Sequence, residues 1–297
     1  MSMNYRTDLA VEAQELNKQK LPQGVTSEEQ TLGEIKITRT KVTDKLAAEI
    51  MGKAPGNYIT IEAPNFSQTV DPAEEQMEAM SKALSELLPE GLILVVGLGN
   101  TDITPDALGP LSVSGILATR HINGEVARQA GLEGLRPVAA VSPGVLGQTG
   151  METGEIIASI VKEIKPAAVV AVDALASMSL SRLGTTIQIS DTGISPGSGV
   201  GNTRKELSKD TLGIDCIAIG VPTVVDAATL AMDLMGEEEK PLNEDTRKKI
   251  EPRGASMMVT PREIDTLIKR AARIISRALN HALQPQISFD DMDLLTS

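Results

Sequence analysis

Three runs of small and β-branched apolar residues constrain this chain most: Leu92 to Gly97 (LILVVG), Ala167 to Asp173 (AAVVAVD) and Asp215 to Val221 (DCIAIGV). Each is continuous rather than alternating, the pattern of a strand buried on both faces, and such strands belong to parallel sheets covered by helices. Stretches of about 10 to 20 residues with helical character separate the strands, so the chain reads as α/β, with a mostly parallel or mixed central sheet and helices on both faces. Open sheets of this class collect their functional groups at the carboxyl ends of the strands. There the first run is soon followed by Asp106 and the second ends on Asp173, each opening an Asp-Ala-Leu sequence before a small residue.

Alternating strands are expected at Glu34 to Val42, Asn57 to Ala63 and Thr185 to Ser190, the first two as an antiparallel edge, with another short strand at Pro137 to Val141. Helices are expected from the cap Asp71-Pro72-Ala73-Glu74 to about Leu88, from Asp106 to His121, from Glu152 to Ile164, and from a Thr260–Glu263 capping box to about Leu283. The folded boundary falls near Gly33. Residues 237 to 253 are charged enough to form a surface excursion, and the tail from Gln284 reads as loosely held.

With 297 residues, 41% of them hydrophobic, the chain can bury a core without staples. Cys216 is its only cysteine, which excludes an intrachain disulfide and favours a reducing cytoplasm. The N-terminal stretch MSMNYRTDLAVEAQELNK lacks the apolar core of a signal peptide, and no run is long enough to span a bilayer. A net charge of −12 repels nucleic acid and anionic membranes. Tyr5, Tyr58, Phe66 and Phe289 are the only aromatics, too few for a base-stacking surface. Neither nucleic acid nor membrane is expected as a partner; a homo-oligomer is compatible with the sequence.

Two carboxylates sharing a site cannot both ionise comfortably, so one keeps a proton while the other stays charged. The charged member can deprotonate water, and the protonated one can polarise a carbonyl or protonate a leaving amine. Asp106 and Asp173 therefore read as a candidate catalytic pair for peptide hydrolysis; the plainer role for each is capping the turn that follows its strand. The glycine-rich loops Gly97–Asn100 and Gly144–Gly150, with Gly97, Gly99, Asn100, Gly144 and Gly147, could supply backbone donors to an oxyanion. GLGN is also a partial dinucleotide fingerprint, but Asp102 stands where the third glycine belongs and Pro105 delays the helix. His121 and His281 lie in or beside helical patterns, Cys216 lies in an apolar strand, and neither H-E-x-x-H nor C-x-x-C occurs. No cofactor and no metal is expected.

The segments RTDLAVEA, VVGLGN, TPDALGP, SPGVLGQTGMETGEII, VVAVDALAS, SPGSGVGNTR, GVPTVVDA and MMVTPREID occur here in that order. On these the chain resembles the germination proteases of spore-forming bacteria, endopeptidases that degrade small acid-soluble spore proteins. The resemblance implies that the positions of Asp106 and Asp173 form the catalytic pair. It also implies a zymogen that removes its own N-terminal segment, cutting after an acidic residue and before a large apolar one followed by Ala, a small residue and Glu. Asp8-Leu9-Ala10-Val11-Glu12 fits that pattern, which places self-cleavage between Asp8 and Leu9. The chain then divides into a propeptide (1–8), an N-terminal segment (9–32), a single α/β peptidase domain (33–284) and a tail (285–297). Spore proteins would be its substrates and the spore-core cytoplasm its location.

More distantly, GLGN followed by TPDALG is similar to the hydrogenase maturation proteases, which implies their phosphorylase/hydrolase-like sheet. In that family the position of Asp106 binds nickel together with a later Asp and a His, but no histidine follows Asp173 at a suitable strand end. A metal-assisted maturation-type peptidase is one alternative, and a nucleotide or small-ligand binding module using the Gly97–Asn100 loop is another. The Thr192–Asn202 loop, rich in glycine, is a candidate gate.

Overall fold

The computed structural model describes residues 7–17, 21–68, 74–122, 124–130, 133–195, 205–227, 230–231 and 257–296. The expected charged excursion at 237–253 lies outside these residues, as do positions 1–6, most of the Thr192–Asn202 loop and the Asp71 cap. The strands are β1 (Val25–Leu32), β2 (Ile35–Val42), β3 (Gly56–Glu62), β4 (Ile93–Gly97), β5 (Val138–Val141), β6 (Ala168–Ser177), β7 (Thr186–Ser190), β8 (Asp215–Asp226) and β9 (Met258–Val259). They form one sheet in the order β1-β2-β3-β7-β8-β6-β4-β5, with β9 against the end of β8. The apolar runs β4, β6 and β8 are parallel, as is β5; β1, β2, β3 and β7 continue the sheet antiparallel. The expected mixed sheet, with the early strands as its antiparallel edge, is what forms.

Helices α1 (Ala10–Glu15), α2 (Lys45–Met51), α3 (Glu74–Ser85), α4 (Leu108–Ser114), α5 (Gly124–Ala130), α6 (Leu146–Thr149), α7 (Thr153–Ile164), α8 (Lys209–Leu212), α9 (Ile264–Leu283) and α10 (Phe289–Thr296) connect or cover the strands. Because side chains alternate along a strand, each buried strand serves two cores. Ile93, Val95, Val170, Val172, Ile217 and Ile219 face one core, shared with residues of α3, α4 and α9. Leu94, Val96, Val169, Ala171 and Cys216 face the other, with Ile157 and Val161 of α7. Burial pushes the Cys216 thiol up to about 12, which makes it a packing group and not a nucleophile.

Several local expectations are corrected. The helix expected over 106–121 is a 3₁₀ turn, Thr104–Asp106, and then only α4. Asn280 ends it: its side-chain amide donates to Gly115 O at 2.8 Å and accepts from Leu117 N at 3.0 Å, turning the chain away. The Thr260–Glu263 box does not form, because the Thr260 hydroxyl donates to Thr223 O at 2.9 Å and α9 begins after Glu263. Folded structure also starts before Gly33, which turns the β1–β2 hairpin. The tail is not loose. Phe289 of α10 stacks on His281 with ring centroids 4.3 Å apart, Asp293 forms an ion pair with Arg277 at 2.8 Å, and Met292 is buried.

Candidate active site

β6 and β8 run on past the ends of their outer neighbours, pairing Asp173–Ser177 with Gly220–Val225 through a bulge at Leu175/Ala176. β4 stops at Gly97 opposite Val172, where Leu98 N donates to Val172 O at 2.8 Å, so Asp173 is the first residue of β6 beyond β4. It is 5% exposed, and its Oδ1 accepts from Ala174 N at 2.9 Å. By alternation it points to the side of Ala171 and Leu175.

Asp106 reaches the same edge from the other face. Its 3₁₀ turn is fastened at both ends: Asn100 N donates to Asp106 O at 3.0 Å, and Thr223 of β8 donates its hydroxyl to Pro105 O at 2.9 Å. Two glycines permit this closeness. Gly99 has φ +113, and a Cβ there would fall 2.0 Å from Asp106 O. A Cβ on Gly109 would stand 2.2 Å from Leu98 O and 2.4 Å from Val172 O, so α4 rests directly on the backbone of both strands. Adjacent parallel pairing of β4 and β6 thus brings Asp106 and Asp173 to one carboxyl edge.

The two glycine loops meet there too. Gln148 of α6 donates to Asn100 Oδ1 at 2.7 Å and to Asp102 Oδ2 at 3.0 Å, tying the loop after β5 to the loop after β4. Gly144 has φ +75, while Gly97 is held against Gly109 O and Gly147 faces open space. The amides of Leu98 and Asn100 already donate within the fold. His121 is exposed and His281 bonds Ser81 at 3.0 Å. Among the described residues, no three His, Cys, Asp or Glu side chains gather as a metal-ion site, and no helix is long and apolar enough to cross a membrane.

The N-terminal segment lies across the overhang of β6. Asp8 N donates to Ala176 O at 3.0 Å and Ala176 N donates back to Asp8 Oδ2 at 2.9 Å. Leu9 and Val11 pack on Leu175, with Ile194 against them. The Glu12 carboxylate, fully buried, accepts from Met178 N at 2.7 Å, from Ser179 N at 3.0 Å and from the Thr7 hydroxyl. Lys53 donates to Thr7 O at 2.9 Å; burial pushes its ammonium below the ordinary 10.5, with Asp8 and Glu12 opposing. Gln188 of β7 donates to Asp8 O at 2.8 Å and accepts from Ala10 N at 2.5 Å.

Gln188, Lys53 and the 178–179 amides escape sequence reasoning. One signal was available: in TIQIS, Ile187 and Ile189 supply an apolar face, so Thr186, Gln188 and Ser190 make a buried polar face that requires a partner.

Burial pushes the Glu12 carboxyl above its ordinary 4.5, a rise held back by bonds from Thr7, Met178 and Ser179 and by the charge of Arg182. A carboxyl that holds its proton more tightly docked than undocked makes docking firmest below pH 4.5 and weaker as the pH rises through the elevated value. Exchange protection at the amides of Ala10 and Ala176 should therefore fall with rising pH, and Glu12→Gln should flatten that dependence. Protection that climbs with pH would contradict it.

A family model described as germination protease matches residues 5–249. The germination protease of Caldanaerobacter subterraneus subsp. tengcongensis is 46% identical to the chain, over 99% of the chain and 98% of that protein. That of Clostridium tetani is 43% identical over 98% and 99%, and that of Bacillus cereus strain AH187 is 41% identical over 99% and 97%.

Proposed function

The chain belongs to the germination protease family, and from that premise we propose that it is an endopeptidase of small acid-soluble spore proteins that works through Asp106 and Asp173 and processes its own N-terminus. The observation that carries this reading is the docking of the segment around Asp8–Leu9 on the overhang of β6, at the carboxyl edge where Asp173 and the turn holding Asp106 also lie.

In the proposed reaction the ionised aspartate takes a proton from water, whose oxygen bonds to the carbonyl carbon. The tetrahedral intermediate then breaks its C–N bond, and the protonated aspartate gives its proton to the departing amine. The pair titrates as a unit, so acid and base are properties of the dyad. With the Leu98 and Asn100 amides engaged, the loop holding Gly144 is the proposed source of backbone donors to the oxyanion. The same reading places self-cleavage between Asp8 and Leu9, giving a zymogen with residues 1–8 as propeptide, and assigns the enzyme to the spore-core cytoplasm.

The test is incubation with a purified small acid-soluble spore protein, with and without chelator, followed by mass mapping of the fragments. New N-termini at a large apolar residue after an acidic one, indifferent to chelator, are expected. An intact substrate would overturn the reading, and chelator-blocked cleavage would replace the aspartate mechanism with a metal-assisted one.

A further inference from the structure

Gln188 is 8% exposed and spends both ends of its side-chain amide on a segment about 180 residues away in sequence: Nε2 on Asp8 O at 2.8 Å, Oε1 on Ala10 N at 2.5 Å. A carboxamide that grips C=O of one residue and N–H of the second residue after it reads peptide backbone, whatever the side chains. It does here what the edge of a neighbouring strand does in peptide capture by strand addition.

The sheet register gives that grip a direction. Gln188 lies directly opposite Gly220 on β8, and Gly220 directly opposite Asp173 on β6. Residues in one cross-strand row point to the same side of a sheet, so Gln188 and Asp173 share a face, two strand spacings or roughly 10 Å apart. The middle of the row carries no side chain; a Cβ on Gly220 would meet Leu175 Cγ at 2.4 Å. The side chain of Leu175 fills the space over Gly220, and Leu9 and Val11 of the docked segment pack on it. Further along, the amides of Met178 and Ser179 receive a carboxylate four residues after the one whose carbonyl Gln188 holds.

We propose that Gln188 is a substrate-binding residue of the protease, holding the carbonyl of the bond to be cut and the second amide beyond it, and that residues 8–12 occupy in cis the position of a bound peptide. The assignment deepens the proteolytic function proposed above and rests on it. Any substrate segment must displace residues 8–12 from this clamp before it can be cut.

The probe is the synthetic peptide Thr-Asp-Leu-Ala-Val-Glu-Ala, residues 7–13 of the chain. It is titrated against Asp173→Asn protein for binding and given to otherwise wild-type protein for hydrolysis, with Gln188→Leu and Gln188→Glu introduced into both. Leu keeps the volume and loses both bonds; Glu keeps the acceptor for the amide but loses the donor to the carbonyl. Both are expected to weaken binding about 10-fold and to lower kcat/KM for hydrolysis in trans about 10²-fold. If both variants fold and cut the peptide at the wild-type rate, Gln188 merely fastens the N-terminus and the inference falls. Absence of peptide binding overturns it as well. Gln188-dependent binding without any hydrolysis leaves the clamp standing and overturns the proteolytic function instead.

Discussion

Asp106→Asn and Asp173→Asn should each lower self-cleavage and hydrolysis of a spore protein by about 10³-fold or more, the loss expected if the proposed pair moves the proton. The substitution changes little else. Asparagine keeps the shape of aspartate: its carboxamide oxygen can still accept from Ala174 N as Asp173 Oδ1 does at 2.9 Å, and the backbone oxygen of residue 106 still accepts from Asn100 N. Thermal midpoints should therefore stay close to wild type while activity disappears. The double variant should be hardly worse than either single one, because members of a catalytic unit are strongly non-additive. Intact-mass spectrometry reads the first process and fragment mapping the second. Either variant retaining a rate within 10-fold of wild type would remove that aspartate from the chemistry.

Gly109→Ala has the largest expected effect outside the aspartates. Its Cβ would lie 2.2 Å from Leu98 O and 2.4 Å from Val172 O, both backbone atoms that cannot rotate away. α4 must lift from the sheet and carry the adjoining 3₁₀ turn, and with it Asp106, out of position. A loss of about 1–3 kcal/mol in denaturant unfolding is expected, of the size typical for forced overpacking. Activity should fall about 10²-fold in the fraction that remains folded, since displacements near 1 Å are enough for that. Gly124→Ala is the control, because a Cβ there meets nothing within 4 Å. It should leave both quantities near wild type. A Gly109→Ala protein as stable and active as wild type would show that α4 does not set the position of Asp106.

The centre of the fold was legible because β4, β6 and β8 are apolar on both faces, which only a covered parallel sheet requires. That Asp106 and Asp173 lie at strand ends was equally plain; that the two strands are neighbours was not, since parallel pairing joins residues with no local signal between them. β1 was missed because Ser27, Glu28, Glu29 and Gln30 give it no apolar face, as suits an exposed edge. The early end of α4 depends on Asn280, more than 160 residues away, and the docking of α10 depends on His281 and Arg277 of the preceding helix. The segment around Asp8–Leu9 is expected as a cleavage site through family resemblance, but its partners Gln188, Met178 and Ser179 become visible only when β7 and the β6 overhang converge on it.

Folding order follows from where those partners sit. The β1–β2 hairpin closes between near neighbours, whereas the bonds that seat residues 8–12 join positions 166 to 180 apart in sequence. Contacts of such separation carry the greatest loop-closure cost and tend to form after local ones. β7 and β8 meet through only the three pairs Gln188–Gly220, Ile189–Ile219 and Ser190–Ala218, and without them Gln188 and Asp173 share no face. A chain still emerging from the ribosome holds Asp8 long before it holds Gln188, and cannot set Gln188 in one row with Asp173 until β8 has been made. On the function proposed above, topology alone would withhold proteolysis from a chain that still lacks β8.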